Sequence, residues 1–509
     1  MMALENSIRE RKRENKIKMD IVTLAALIAI VFTIFFFLIL RDSSPKGLPP
    51  GPKPWPIVGN LLQLSDKPHS HFAQLAKTYG DLFTIKLGTE TIVVASTSIA
   101  ATEILKTHDR ILSGRYVFQS FRVKGQVKLS MTWSDCNDTW NKLRRICKVE
   151  LFSQKMIESQ AEIRESTALE MVEYLKKKEG SEVKMSDVIF GTVMNMFGKS
   201  IFSQNIFELG DENSGSLNMK ERIRRLMELG NTKNPADYFP FLGSWDLLGQ
   251  RKEVANCLQR VYDVWGVVLK ERKIFNMQHN SKKKNDFVDV LLDAGLEDGQ
   301  INSLIMEIIT GTETSGSTIE WAVAELTKNP QVAAKMRSEL LSVVGQRPIK
   351  EADIPNMPYL QAFSKETLRL HPPTPLLIPR RALETCKILN YTIPKDCQIM
   401  VNAWGIGRDP KTWTDPLKFS PERFLNSSID FKGNDFGYIP FGAGRRICPG
   451  MPVAIQFLSL IVPTLVQNFD WGLPNETDPT QLIMEEKFAL TLQKEPPLYI
   501  VPRTRDPSA

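Results

Sequence analysis

Cys448 lies in Phe441-Gly442-Ala443-Gly444-Arg445-Arg446-Ile447-Cys448-Pro449-Gly450, a stretch whose residue types suit one reactive sulfur. The glycines let the backbone turn tightly beside the thiol, and Pro449 suits the first position of a helix. The apolar run from Met451 to Phe469 then reads as a helix whose N-terminal dipole and free amides face Cys448 and favour its thiolate. Such a sulfur can serve as a nucleophile, as an inert structural thiol, or as an axial ligand to haem iron, where a thiolate donates electron density that favours O–O cleavage. A buried cysteine taken alone is usually inert, so the choice among the three turns on the other groups.

Three of those groups are spread over much of the chain. Glu366 and Arg369, in Lys365-Glu366-Thr367-Leu368-Arg369, are three apart and share a helix face; alone they read as a solvated salt bridge. Trp140 and Arg144, in Trp140-Asn141-Lys142-Leu143-Arg144, also share a face. The amphipathic run Ile301 to Leu326 carries Thr310-Gly311-Thr312-Glu313-Thr314-Ser315 at its centre. Hydroxyls that bond back to helix carbonyls and a glycine both weaken the ladder, so a local bulge is expected there, open to O2 and water.

These motifs, with Phe419-Ser420-Pro421-Glu422-Arg423-Phe424, resemble those of the cytochrome P450 monooxygenases over nearly the whole chain. The resemblance implies haem as cofactor, with Cys448 as the axial ligand of its iron. It implies a buried, structural ionic triad of Glu366, Arg369 and Arg423. Trp140, Arg144, Arg380 and Arg446 match the partners of the haem propionates, a role suited to arginine because its planar fork binds a carboxylate bidentately. Thr314 matches the threonine that feeds protons to the activated oxygen, and Glu313 the neighbouring acid.

Three features depart from the family pattern. Thr310 stands where alanine is usual before Gly311, and the stretch from Glu307 to Gly311 is one residue short. A missing residue turns the upstream helix by about 100° unless a bulge absorbs it. Pro463 falls deep in the helix after Cys448, where an interior proline costs about 3 kcal/mol or kinks the helix. Each is expected to reduce activity or haem retention.

The elements that must hold these groups belong to one large domain. The 509 residues show no Pro/Ser-rich linker after Gly59, no repeat, and only Ser281 to Lys284 as a short basic loop. The segments Leu82 to Leu87 and Thr91 to Ala95 alternate like strands, and helical patterns dominate the remainder, so the expected fold is mainly α with small β-sheets. The six cysteines (Cys136, Cys147, Cys257, Cys386, Cys397, Cys448) have neither paired nor zinc spacing, which points to a reducing compartment.

The N-terminal region reads in three parts ahead of the haem-thiolate domain at 57–509: a charged extension at 1–18, a transmembrane signal anchor at 21–40 and a proline-rich hinge at 41–56. Ile21 to Leu40 is apolar except for Thr23 and Thr33, long enough to span a bilayer, and lacks a small-residue cleavage site. In Leu48-Pro49-Pro50-Gly51-Pro52-Lys53-Pro54-Trp55-Pro56, fixed φ angles and missing amide donors make a stiff spacer. Arg9, Arg11, Lys12, Arg13, Lys16 and Lys18 precede the span, and the positive-inside rule would keep them cytosolic and send the domain to the lumen. The resemblance implies the opposite, a cytosolic domain on the endoplasmic reticulum membrane. A start at Met19 resolves the conflict, with 1–18 as an upstream extension.

No dinucleotide-binding glycine motif is present, so electrons derived from NADPH must come from a partner, a reductase. The overall balance, 65 basic against 58 acidic residues, says little about partners, and no interleaved basic and aromatic patch supports nucleic acid. Lys142, Arg145, Lys148 and Arg445 can ring the thiolate side and steer an acidic reductase. A narrower resemblance, over Val94 to Ser113, Tyr116 to Gly125, Phe202 to Gly210, Gly230 to Pro240 and Asn390 to Phe436, is to the plant N-methylcoclaurine 3′-hydroxylase group of benzylisoquinoline alkaloid biosynthesis. It implies hydroxylation of a phenol ring on a tertiary-amine alkaloid, in a pocket drawn from Phe118, Phe121, Leu376, Leu377 and Phe488, whose aromatic faces suit a cation. The alternatives are oxidative C–C or C–O phenol coupling and, from another class, a haem-binding protein without turnover.

Overall fold

The computed structural model describes residues 16, 18–34, 47–210, 215–230, 232–278 and 286–505. Its strands are β1 (Leu82–Leu87), β2 (Glu90–Ala95), β3 (Gly114–Arg115), β4 (Val183–Lys184), β5 (Arg380–Arg381), β6 (Cys386–Ile388), β7 (Tyr391–Ile393), β8 (Gln398–Val401), β9 (Phe469–Gly472), β10 (Glu485–Phe488), β11 (Leu492–Glu495) and β12 (Tyr499–Thr504). The two alternating segments pair as a hairpin with Leu87 opposite Glu90, and Gly88 takes the positive φ of 61° that so short a turn demands. The five-stranded sheet runs β1-β2-β8-β5-β3, with β2 and β8 parallel and the other pairs antiparallel. Its last two strands put Arg115 directly opposite Arg380.

The longer helices are α1 (Pro68–Tyr79), α2 (Asp138–Ile146), α3 (Ala161–Lys177), α4 (Met185–Phe202), α5 (Gly215–Leu229), α6 (Gln250–Gln278), α7 (Asp298–Lys328), α8 (Pro330–Val343), α9 (Pro358–Leu370) and α10 (Met451–Asn468). Together these elements make a mainly α fold with small sheets. α7 starts at a capping box of Glu297 and Gln300, and every residue from Ser315 to Thr327 is buried. A helix buried on all sides belongs to the core; α4, α9 and α10 pack against it. α9 begins at Pro358 and ends at Leu370, capped by His371, which Pro372 disfavours as a further helical residue. Asn137 caps α2, its side chain accepting from the Trp140 amide at 2.8 Å, and so sets the register of Trp140 and Arg144.

α10 continues unbroken through the buried Pro463, so the expected kink does not interrupt the helix. Beside the carbonyl that the proline leaves without a donor, the Thr464 hydroxyl donates to the Leu460 carbonyl at 2.6 Å. Among the described residues α10 is the helix long and apolar enough to cross a membrane, but it lies largely within the core. Residues 18–34 are helical with exposed side chains. The remainder of the expected anchor at 35–40, the start of the hinge, Arg9 to Arg13 and the Ser281 to Lys284 loop lie outside the described residues.

Candidate active site

The loop before α10 holds Cys448 by its backbone. Its amide donates to the Phe441 carbonyl at 3.0 Å, and Gly442 and Gly444 both have φ of 69°. A Cβ on Gly444 would sit 2.3 Å from the Leu105 carbonyl oxygen, so no other residue fits there without moving the backbone. The sulfur accepts hydrogen bonds from the amides of Gly450 and Met451. The helix starts at Met451 with Pro452 in its first turn, so Pro449 is not the first helical residue as expected but part of the preceding turn. Burial raises the thiol pKa, while the two amides and Arg144 pull it back toward the thiolate. Among the described residues all six cysteines are free.

Trp140 and Arg144 from α2, Arg380 from β5 and Arg446 from the Cys448 loop converge on the cavity that Cys448 also lines. The guanidiniums of Arg446 and Arg144 lie 5.0 and 5.6 Å from the Trp140 ring centre, and the indole N–H donates to the Met131 carbonyl at 3.0 Å. Arg144 donates to the Ile447 carbonyl, Arg446 to the Ser113 carbonyl at 3.0 Å, and Arg380 to Asp109 at 3.2 Å. A fifth member, Arg115, escapes the sequence reading. It is buried, lines the same cavity and donates to the Ile378 carbonyl at 2.8 Å. Burial, then Arg446 and Arg380, hold its pKa well below the usual arginine value. Like charges directly opposite in a strand pair are destabilising, so this arrangement fits an anion with two carboxylates bound nearby. The signal for Arg115 was its pairing with Arg380, which only the folded sheet displays.

Across the cavity α7 presents Glu307, Thr310, Gly311, Thr314 and Ser315. The expected bulge is not formed: α7 is α-helical throughout, and the threonines satisfy their hydroxyls within it. Thr310, Thr312 and Thr314 donate to the carbonyls three residues back, at 3.0, 2.6 and 2.8 Å. The unbroken register puts Glu307 on the cavity-facing stripe. Glu313 is not among the cavity-lining residues; its carboxylate accepts from Gln493 at 3.0 Å.

The cavity, about 360 Å³, is mostly apolar. Of the residues expected to line it, Phe121 and Leu377 do, while Phe118, Leu376 and Phe488 do not. Phe118 instead packs edge-on between Tyr116 and Trp133; Phe488 stacks on His69; Leu376 is buried in the cluster around β1 and β2. Trp133, Met227, Tyr262 and Leu490 contribute walls that the sequence reading missed.

Away from the cavity, Glu366 accepts from Arg369 at 2.7 and 2.9 Å and from Arg423 at 3.0 Å. Glu366 and Arg369 are buried, and Arg369 also donates to the Gly407 and Pro416 carbonyls at 2.6 and 2.8 Å. The unit ties α9 to the loops that lead to the Cys448 segment.

The arrangement suits an oxidative centre: a sulfur at a helix N-terminus, an arginine cluster beside it, and hydroxyls on an opposite helix. The family model for cytochrome P450 matches residues 49–501. An (S)-N-methylcoclaurine 3′-hydroxylase isozyme 1 from Papaver somniferum is 76% identical over 94% of this chain and the whole of its own length. A protein of the same name from Eschscholzia californica is 69% identical over 94% of this chain and 99% of that one. A corytuberine synthase from Coptis japonica is 46% identical over the same shares.

Proposed function

The chain belongs to the cytochrome P450 family, and from that premise we propose that it hydroxylates N-methylcoclaurine at the 3′ carbon of its phenol ring. It is a haem-thiolate monooxygenase that uses O2 and NADPH-derived electrons. The observation that carries the reading is the placement of Cys448 and Thr314 on one cavity whose walls are otherwise largely apolar.

Bound haem supplies O2 reduction and transfer of one oxygen atom. In our reading Cys448 would hold the haem iron, the Gly450 and Met451 amides and Arg144 favouring its thiolate against the burial that raises its pKa. Arg115, Arg144, Arg380 and Arg446, with the Trp140 indole, would hold the propionates; in the structure the arginines donate to backbone carbonyls around the same cavity. Thr314 holds a proton at Oγ1 on the cavity wall, and Glu313 with Gln493 lies one residue away on the outer side of the helix. Aromatic walls exclude water and orient the substrate rings. Glu366, Arg369 and Arg423 act structurally.

Three relatives more than two-thirds identical carry the hydroxylase name, and the phenol-coupling relatives are more distant, which favours hydroxylation over coupling. Lys142 and Arg145 on α2, Lys148 in the turn after it and Arg445 in the Cys448 loop are exposed, a basic face suited to an acidic reductase. The segment at 21–40 anchors the domain at 57–509 to the endoplasmic reticulum membrane through the 41–56 hinge, with the domain cytosolic. The test is expression in microsomes with a plant reductase and mass analysis after incubation with N-methylcoclaurine. Hydroxylation adds one oxygen and coupling removes two hydrogens; haem retained with no product overturns the proposal.

A further inference from the structure

We propose that Glu307 is the anionic anchor for the substrate's protonated amine, an inference that rests on the alkaloid reading of this cavity. Glu307 precedes Thr314 by seven residues on one unbroken helix. That spacing is about 10 Å along the axis and returns to nearly the same face. Both side chains line the cavity, with Thr310 and Gly311 between them. A two-ring amine whose phenol meets the oxidising centre beside Thr314 can therefore extend its nitrogen toward Glu307.

The carboxylate is held entirely by neutral donors. It accepts from the Met131 amide at 2.9 Å, from the Thr132 amide at 3.0 Å and from the Ser130 hydroxyl. Among the described residues no lysine, arginine or histidine makes an ion pair with it. Arg115 reaches the same segment at the Thr132 carbonyl, 3.1 Å away, without contacting Glu307. Burial raises the Glu307 pKa, and the Ser130, Thr132 and Met131 bonds offset this only in part. A buried carboxylate without a counter-ion is costly, and a cation entering from the cavity would relieve that cost.

The neighbouring walls suit the same guest. Phe121 and Trp133 lie 5.3 Å apart, centre to centre, at a 30° tilt, and the Trp133 amide donates to Ser130 Oγ at 2.8 Å. One short segment, Ser130 to Trp133, thus fixes both the carboxylate and an aromatic face, and both features attract an ammonium. The simpler role, a clamp from α7 to this loop, needs the hydrogen bonds but no charge selectivity toward ligands.

The test uses the haem-loaded full chain and reads the haem spin-state shift in optical titrations, so it does not depend on turnover. Three probes are compared: N-methylcoclaurine, its quaternary N-methyl derivative, and the neutral N-formyl analogue of the secondary amine. The expected result is similar Kd for the two cations, since charge and not an N–H makes the contact, and binding of the amide about tenfold weaker or more. Glu307→Gln should narrow that gap to within about threefold while leaving amide binding nearly unchanged. Equal affinity of amide and amine in the unaltered protein overturns the proposal, whether or not the variant folds. If no benzylisoquinoline produces a shift, the alkaloid reading fails separately. The comparison is then made with N,N-dimethylphenethylamine and N-formylphenethylamine: a preference for the cation retains the anchor, and no preference removes it.

Discussion

The Thr314 hydroxyl donates to the Gly311 carbonyl at 2.8 Å, so its hydrogen points back along α7 while the side chain lines the cavity. A proton held this way is ordered, and rotation about the Cβ–Oγ bond would redirect it into the cavity.

Thr314→Ala should therefore keep haem and substrate binding but lower product formation on the order of 10²-fold, the usual scale for loss of a positioned acid. NADPH consumption should continue, with hydrogen peroxide released instead of product. Unchanged product per NADPH would remove Thr314 from the mechanism.

Cys448→Ser should abolish the thiolate-type absorbance of the reduced carbon monoxide complex. The loop itself should survive, because its turns rest on Gly442, Gly444 and the amide to Phe441, none of which uses the sulfur. Difference spectra of membranes containing the variant decide the matter, and a persisting thiolate spectrum would reject the ligand assignment.

The ionic triad predicts an order of damage. Glu366→Ala strands two arginines, one of them fully buried, and should cost about 3–5 kcal/mol. Arg423→Ala should cost less, since its side chain is 13% exposed and Glu366 keeps Arg369. Denaturation midpoints of the purified variants give the ranking, and a larger effect for Arg423 would contradict it.

Acid stability should depend on Glu486. Burial pushes its pKa up, but the bond from His69 and the charges of Arg408 and His371 outweigh this and bring it to about 2, from an ordinary 4.5. A folded pKa below the unfolded one means stability that is present above about 4.5 and lost as pH falls toward about 2. Glu486→Gln should lower stability at neutral pH and flatten the loss across this window, measured by circular dichroism melts. Glu422, also brought to about 2, retains its own contribution in the variant.

Topology is open to a direct measurement. Asn137, Asn390, Asn426 and Asn475 each begin an Asn-x-Ser/Thr acceptor beyond the apolar span. With a cytosolic domain, neither the full chain nor a form starting at Met19 should shift on a gel after endoglycosidase treatment. Glycosylation of the full chain alone would mean that the basic extension inverts insertion; glycosylation of the Met19 form would refute the cytosolic placement.

The sequence alone determined the parts whose physics is local. Tight turns need glycine beside Cys448, helix spacing puts Glu366 next to Arg369, and alternation marks β1 and β2; each is readable within ten residues or so. The family resemblance carried the assembly of these parts. The tertiary structure decided what depends on side-chain direction and on contacts between distant segments. Phe118, Leu376 and Phe488 sit near the cavity in sequence register yet turn into other clusters, because packing with Trp133, the β1–β2 layer and His69 sets their orientation. Arg115 joins the arginine cluster only because β3 pairs with β5. Glu307 faces the cavity only because α7 keeps an α-helical register where a bulge was expected, and because the Ser130 to Thr132 segment folds over it with three hydrogen-bond donors. A one-dimensional pattern can specify which face a residue shares, but which face meets a cavity is settled by the packing of every other element around it.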